Sequence, residues 1–311
     1  MKTLDQVCTV GGIMLSITKL HQIGCLRLGM MVVLCCVTTA MRGDLHAETV
    51  SDPSQAHTSE AVKQSVIQSL PLDKLDAEGR AKVRSVVSNV TMFRRLPVQV
   101  VDCDPDLYLF VVRHPDVIVN TWRALKVSQL QLKETGPDKF RMKEVSGTTA
   151  DLELLYKSHD THILYAEGTY EGAILKQQVK GRAIFVLKTG YIRETDNRYY
   201  ITSRLDTLLS VDPGAVELVT KTFQPIIGKI ADNNFNQTVS FVSSLSQTIE
   251  LNSMGVQRMA LQLPEVRPEV RNQFASLADT IAQKPTAVAF RRLTEMKEIE
   301  AAKRSSESNR R

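Results

Sequence analysis

Beyond residue 36 the chain holds one cysteine, Cys103; the other four, Cys8, Cys25, Cys35 and Cys36, all precede it. No intramolecular disulfide can form in that remainder, so whatever folds there is held by apolar packing rather than by staples. Aromatic residues are sparse, at 5% of the chain, with Trp122 the only tryptophan. They do not alternate with basic residues as single-strand nucleic-acid binding requires. A formal charge of +5 over 311 residues is no nucleic-acid footprint either. Signatures for nucleophiles and phosphates are missing too: there is no Gly-x-Ser-x-Gly elbow, no Walker-type run and no Gly-x-Gly-x-x-Gly. No cofactor is implied. Cys103 stands in a turn, Asp102-Cys103-Asp104, whose carboxylates disfavour a thiolate.

Long apolar runs are absent with one exception, Leu28 to Ala40. Lys19 and Arg27 precede it, its core extends to Val37, and Thr38-Thr39-Ala40 supplies small residues, which is the pattern of an export signal. Cleavage at Ala40, cleavage after Leu45-His46-Ala47, and retention as an anchor are the alternatives. The 13-residue run is short beside the ~20 residues that span a bilayer. Arg27 blocks its extension, so cleavage is favoured. Met14 would open a leader of ordinary length. Leu34 stands where a lipoprotein signal needs a small residue before Cys35. The expectation is an exported protein of the bacterial periplasm or cell envelope, membrane-anchored if the leader is retained.

With 1–47 read as the signal peptide, 48–58 is polar and aperiodic and reads as a mobile linker. A helical segment follows over 59–96. Ser59 is placed to cap a helix carrying Val62, Val66 and Leu70, and Asp76 to cap one carrying Val83, Val86 and Val87. Val98–Val101 and Leu107–Val112 read as short strands separated by a turn. His114-Pro115-Asp116 then opens a short helix that reaches Leu125. Strand-like runs at 128–132, 139–145, 150–156, 162–169, 182–187 and 199–205 follow, with turn signals between them that include Gly181. This spacing predicts an antiparallel meander. Pro213 opens a long helix to Ile249, with a break expected at Pro225 and Gly228. Helices over 251–303 and a disordered Ser/Arg-rich tail over 304–311 complete the chain.

The predicted class is α+β, an antiparallel sheet wrapped on a long C-terminal helix, with N-terminal and C-terminal helical extensions. The order of a short helix (His114–Leu125), five or six antiparallel strands and a long apolar-faced helix resembles the helix-grip superfamily of START-like and polyketide-cyclase-like domains. The resemblance covers about 107–250 and rests on element order. It implies a cavity between sheet and helix that takes a lipid or another apolar molecule, with or without catalysis. The residues around Arg113-His114-Pro115 and Gly190-Tyr191-Ile192-Arg193-Glu194-Thr195 are similar to uncharacterised exported proteins of environmental bacteria.

Candidate cavity residues are Trp122, Tyr165, Val219, Phe223, Ile226 and Ile230. An apolar helical stripe is more often plain core, and Trp122 on an apolar face packs by default. The polar candidates are His114, His159, His162 and Arg204. His159 and His162 would meet on a helix, but on a strand that odd separation sends them to opposite faces, so no metal site is expected. His114 is suited to a general base at a cavity mouth, or merely marks a strand end and a helix cap. Three functions follow in order: a non-enzymatic binder of an apolar or amphipathic small molecule, an envelope interaction protein docking through its C-terminal helices, and a cyclase- or hydrolase-like enzyme using His114.

Overall fold

Ser59 and Asp76 both act as helix caps. The Val62 amide donates to Ser59 Oγ (3.4 Å) and the Gly79 amide to Asp76 Oδ1 (2.7 Å), which start α1 (Glu60–Gln68) and α2 (Ala77–Val87). This computed structural model describes residues 52–172, 175–195, 197–220 and 224–308, of which all but Asp52 belong to the unit Pro53–Arg311. The apolar leader, its cysteines and Phe223 lie outside the described residues. The described part of the 48–58 segment is tied down rather than free. His57 and Arg95 exchange backbone hydrogen bonds (2.9 and 2.8 Å), and the Val98 amide donates to Pro53 O (2.9 Å).

The fold is α+β. Strands β1 (Met92–Arg95), β2 (Gln99–Asp102), β3 (Gln131–Gly136), β4 (Lys139–Lys143), β5 (Thr148–Lys157), β6 (Thr161–Gly172), β7 (Leu175–Arg193) and β8 (Tyr199–Val211) form one open antiparallel sheet. Its order is β1-β8-β7-β6-β5-β4-β3, and β2 pairs with β8 beyond β1. Two short helices, α3 (Pro105–Arg113) and α4 (Pro115–Ala124), precede the meander; α5 (Gln224–Leu261), α6 (Pro268–Gln283) and α7 (Pro285–Ser308) follow it. This is a helix-grip-like arrangement, with the long helix α5 laid on one face of the sheet.

Alternation along the strands separates two cores. On the outer face, Phe93, Ile163, Tyr165, Ile184, Val186 and Leu208 pack beneath Val66, Val83 and Val86 of α1 and α2. On the inner face, Val101 and Ile201 pack with Val111 of α3 and with Val239, Val242, Leu245 and Ile249 of α5, while Phe274 and Ile281 of α6 extend the same cluster. α5 is pinned by side chains. Ser243 Oγ donates to Asp102 O (3.1 Å), Ser246 Oγ accepts from the Asp104 amide (3.0 Å), and Arg94 pairs with Asp232.

Several sequence expectations need correction. Leu107–Val112 is helical, because Asp104 caps the Asp106 amide (3.0 Å) and Pro105 sits at the first helical position. Met92–Arg95, assigned to the helical segment 59–96, is instead edge strand β1 on β8. Gly181 is no turn. It lies within β7, paired with Gly168 of β6, which in turn faces Ala150 of β5. A Cβ on Gly168 would meet Thr149 O at 2.3 Å and Ala150 Cβ at 2.6 Å, so only glycine permits this approach. Gly168→Ala is expected to cost about 1–3 kcal/mol through backbone displacement, read from thermal melts; an unchanged melting point would refute the close approach. Pro213 does not open the long helix: Pro213–Ala215 and Val216–Leu218 are separate short turns, and α5 begins at Gln224 with Pro225 in its first turn, so the chain is divided ahead of Pro225, while Gly228 lies inside α5. A further irregularity lies at Asn252 (φ −146°, ψ 61°). There Asn252 Oδ1 accepts from the Gly255 amide (3.0 Å) and restarts the helix. At the C-terminus, α7 continues to Ser308 through the stretch read as a disordered tail; Ala301, Ala302, Lys303 and Arg304 are good helix formers.

Candidate functional site

Between the two packed ends of the inner face lies a strip that no buried cluster absorbs. Leu164 faces Phe185 across β6 and β7, Leu187 faces Leu205 across β7 and β8, and Leu209 faces Ala183. Leu164, Phe185, Leu187, Leu205 and Leu209 all keep part of their surface exposed. Among the described residues none of them joins a buried cluster. Their strand neighbours Ile163, Ile184, Val186 and Leu208 are buried on the outer face, so the contrast belongs to one face and not to these strands as a whole.

Two walls rise beside the strip. On the β3–β4 side, Val119 of α4 packs on Leu132 and Phe140, with Trp122, Met142 and Leu152 around them. On the β8 side stands α5, packed against β2, β8 and α3. The walls touch where Trp122 meets Phe241 edge to face, with ring centroids 5.8 Å apart and planes at 74°. The inner face therefore carries an aliphatic strip flanked by α4 and α5, which the Trp122–Phe241 contact joins.

One end of the strip is polar. His162 is opposite Leu187, and Thr189 follows Leu187 on the same face, opposite Ser203. Ser203 Oγ is hydrogen-bonded to the Tyr108 hydroxyl of α3. His162 is 2% exposed and Thr189 7%. Neither imidazole nitrogen of His162 has a hydrogen-bond partner, whereas the Thr189 hydroxyl lies beside the Tyr108 hydroxyl. Burial, followed by the nearby Arg113 charge, lowers the His162 pKa to about 4, so the ring is neutral at neutral pH and offers one donor and one acceptor. Each buried polar group left without a partner costs about 1–3 kcal/mol.

A second orphaned group lies at the N-terminal turn of α4. Asp116 is fully buried with both carboxylate oxygens unpartnered. Burial, followed by the charge of Glu134, raises its pKa to about 6. Glu134 itself is held by Arg267 (2.6 Å). β3, which carries Glu134, and β6, which carries His162, are separated by β4 and β5, so these polar points do not form one constellation.

The strip gathers only part of the predicted set. Trp122 stands in the contact beside it and His162 at its polar end. Tyr165 is in the outer core instead, because it alternates with Leu164 and bonds Glu167 (2.9 Å). Arg204 is on the outer face as well, 3.6 Å from Asp206. Ile230 is 46% exposed on α5, and Val219 is buried ahead of that helix. The side chain of Ile226 lies outside the described residues, as does Phe223. His159 is in the β5–β6 turn, its ring 4.2 Å from that of Tyr191. In that turn Ser158 Oγ bonds Asp160 Oδ1 (2.7 Å) and takes the Thr161 amide (2.9 Å). His114 ends a helix, not a strand, 4.9 Å from Phe110; burial lowers its pKa, against the opposing charge of Glu134. The three histidines do not converge. Among the described residues no group of His, Cys, Asp or Glu could hold a metal ion, and no helix is long and apolar enough to cross a membrane. Cys103 is buried and its pKa is raised by desolvation.

Leu164, Leu187, Leu205 and Thr189 are not among the expected cavity residues. The continuous run Ala183–Leu187 carries the signal, since it supplies both faces of β7 at once.

No family model matches the chain, and no curated protein matches it. Among solved structures, the chain is similar to the di-domain ARO/CYC BexL (14% identity, TM-score 0.30, covering 52% of each chain). It is also similar to apo Dicamba Monooxygenase (9% identity, TM-score 0.27), over 68% of this chain and 60% of that one. The chain thus spans between half and three-fifths of the length of these structures.

Proposed function

We propose that this protein is a non-enzymatic binder of an apolar or amphipathic small molecule, exported to the cell envelope, with the ligand lying in the inner-face groove. The supporting observation is the strip Leu164–Phe185–Leu187–Leu205–Leu209, aliphatic and aromatic surface that stays half-buried and outside the buried clusters at the centre of the sheet. Concave apolar surface with few polar groups is the usual form of a small-molecule site. The leader pattern supports the envelope location.

Binding of the neutral apolar dye N-phenyl-1-naphthylamine, followed by fluorescence, tests the reading. The wild-type protein is expected to bind it saturably, with a dissociation constant in the micromolar range. Leu205→Trp, which fills the floor, is expected to weaken binding about tenfold, equal to about 1.4 kcal/mol. Absence of saturable binding, or full binding by the filled variant, would sink the proposal. One observation favours a second reading, docking through the C-terminal helices: Leu293, Met296 and Ile299 of α7 share one helix face and are 58%, 64% and 57% exposed.

A further inference from the structure

The polar end of the groove goes beyond general apolar binding, because it has its own chemistry. We propose that His162 and Thr189 receive the head of an amphipathic ligand, and that this head is uncharged and hydrogen-bonding, a hydroxyl or a carbonyl, with the chain running along Leu187, Leu164 and Leu205. The assignment rests on the groove reading above and specifies what that groove selects.

Three facts carry it. His162 and Thr189 are diagonal neighbours on one sheet face, about 7–8 Å apart at Cα, the span of a small polar group between two side chains. Both are more than nine-tenths buried; both imidazole nitrogens of His162 are unpartnered, while the Thr189 hydroxyl has the Tyr108 hydroxyl beside it, so the unmet capacity is that of His162. Leu187, directly opposite His162 and adjacent to Thr189 on that face, is partly exposed and joins the polar end to the apolar strip.

The head is uncharged because the groups at this end are neutral. The Ser203, Tyr108 and Thr189 hydroxyls form one neutral group, and the imidazole is unprotonated at neutral pH. Arg113, the foremost charge acting on His162, belongs to an exposed residue at the end of α3. A buried ionised head would lack a counter-charge, which is a heavy penalty. A hydroxyl matches the available groups, accepting from one and donating to the other.

Displacement of N-phenyl-1-naphthylamine by 1-decanol, decanoate and decylammonium tests this on the full-length protein. The wild type is expected to bind decanol at least tenfold more tightly than either ion. Thr189→Val, which keeps the shape of the side chain, and His162→Leu are each expected to weaken decanol at least fivefold and to shrink its preference over decanoate and decylammonium by a similar factor. If the dye does not bind wild type saturably, the groove reading itself fails. If the dye binds but decanoate or decylammonium competes as well as decanol, or if Thr189→Val leaves decanol unchanged, the head assignment is overturned and the groove reading stands. Should Thr189→Val fold poorly, His162→Leu in the same displacement tests the assignment independently, and unchanged decanol affinity there overturns it too.

Discussion

Asp206→Ala is expected to destabilise the protein by about 3–5 kcal/mol, the range for breaking a buried ion pair on one side. Asp206 is 1% exposed on the outer face of β8. Arg95 meets it in a fork, Nε to Oδ1 at 2.6 Å and the NH2 nitrogen to Oδ2 at 3.1 Å. Arg204 Nε is 3.6 Å away and has no hydrogen bond. One carboxylate therefore serves two guanidinium groups. Its removal leaves them facing each other without a counter-charge, Arg95 mostly buried and Arg204 half-exposed, and the Arg204 pKa is already lowered by burial and next by the charge of Arg95. The melting temperature should fall by on the order of 10 °C for a unit of this size. Arg95→Met combined with Asp206→Leu is expected to recover part of the loss, since apolar replacement of both partners is often tolerated. A loss below about 1 kcal/mol in denaturant titrations, the value of an exposed pair, would refute the account.

The second large effect is hidden in the wild type. His162 has its pKa lowered from 6.5 to about 4, by burial first. Its contribution to stability is complete above pH 6.5 and is lost as pH falls toward 4, because over that interval the unfolded chain binds the proton and the native ring does not. Asp116 has the opposite sign. Its pKa is raised from 3.8 to about 6, again by burial first. Its contribution is complete below pH 3.8 and is lost as pH rises through 6, because the native carboxyl keeps a proton that the unfolded chain has released. Each linkage is worth at most about 3 kcal/mol. Between pH 4 and 6 the two nearly cancel. Asp116→Asn should expose the loss: relative to wild type, its stability is expected to fall by up to about 3 kcal/mol as pH drops from 6 to 4. His162→Leu should gain stability, relative to wild type, over the same interval. Urea titrations at pH 4, 5, 6 and 7 decide the matter, and parallel curves for both variants and wild type would contradict the burial of these groups.

The scaffold is more legible in the sequence than the site. Short strand-like runs bounded by turn residues between Ser128 and Leu205 mark the six strands of the meander, the first displaced because β3 is Gln131–Gly136, and Ser59 and Asp76 mark two helix starts. Each of these signals is local. The helix at Pro105–Arg113 is hidden because Leu107-Tyr108-Leu109-Phe110-Val111-Val112 is apolar throughout, so periodicity gives no help, while the Asp104-Pro105 cap that decides it also has the chemistry of a turn. Gly181 misleads for a related reason: glycine marks turns and close strand packing alike, and only the register with Gly168 and Ala150 separates them. The groove depends on long-range information. Tyr165 and Leu164 are adjacent in sequence yet belong to opposite faces, and nothing local says which face will be covered by α5. His162 is legible as a residue of interest, but its lack of partners is a property of the folded sheet.

α5 is not fastened evenly. Toward its C-terminal half, Ser243, Ser246 and Glu250 are bonded to Asp102, Asp104 and Arg198. Toward its N-terminal end the side-chain tie is the pair of Arg94 with Asp232, whose side chains are 21% and 25% exposed. Dissolved salt screens an exposed pair far more than a buried one. Among the described side chains, the Arg94–Asp232 tie is thus the one on α5 that salt weakens more than the deeper Arg198–Glu250 pair. For a molecule held beneath the helix, residence time becomes a matter of ionic strength, with release quickening as salt rises while the fold keeps its melting point.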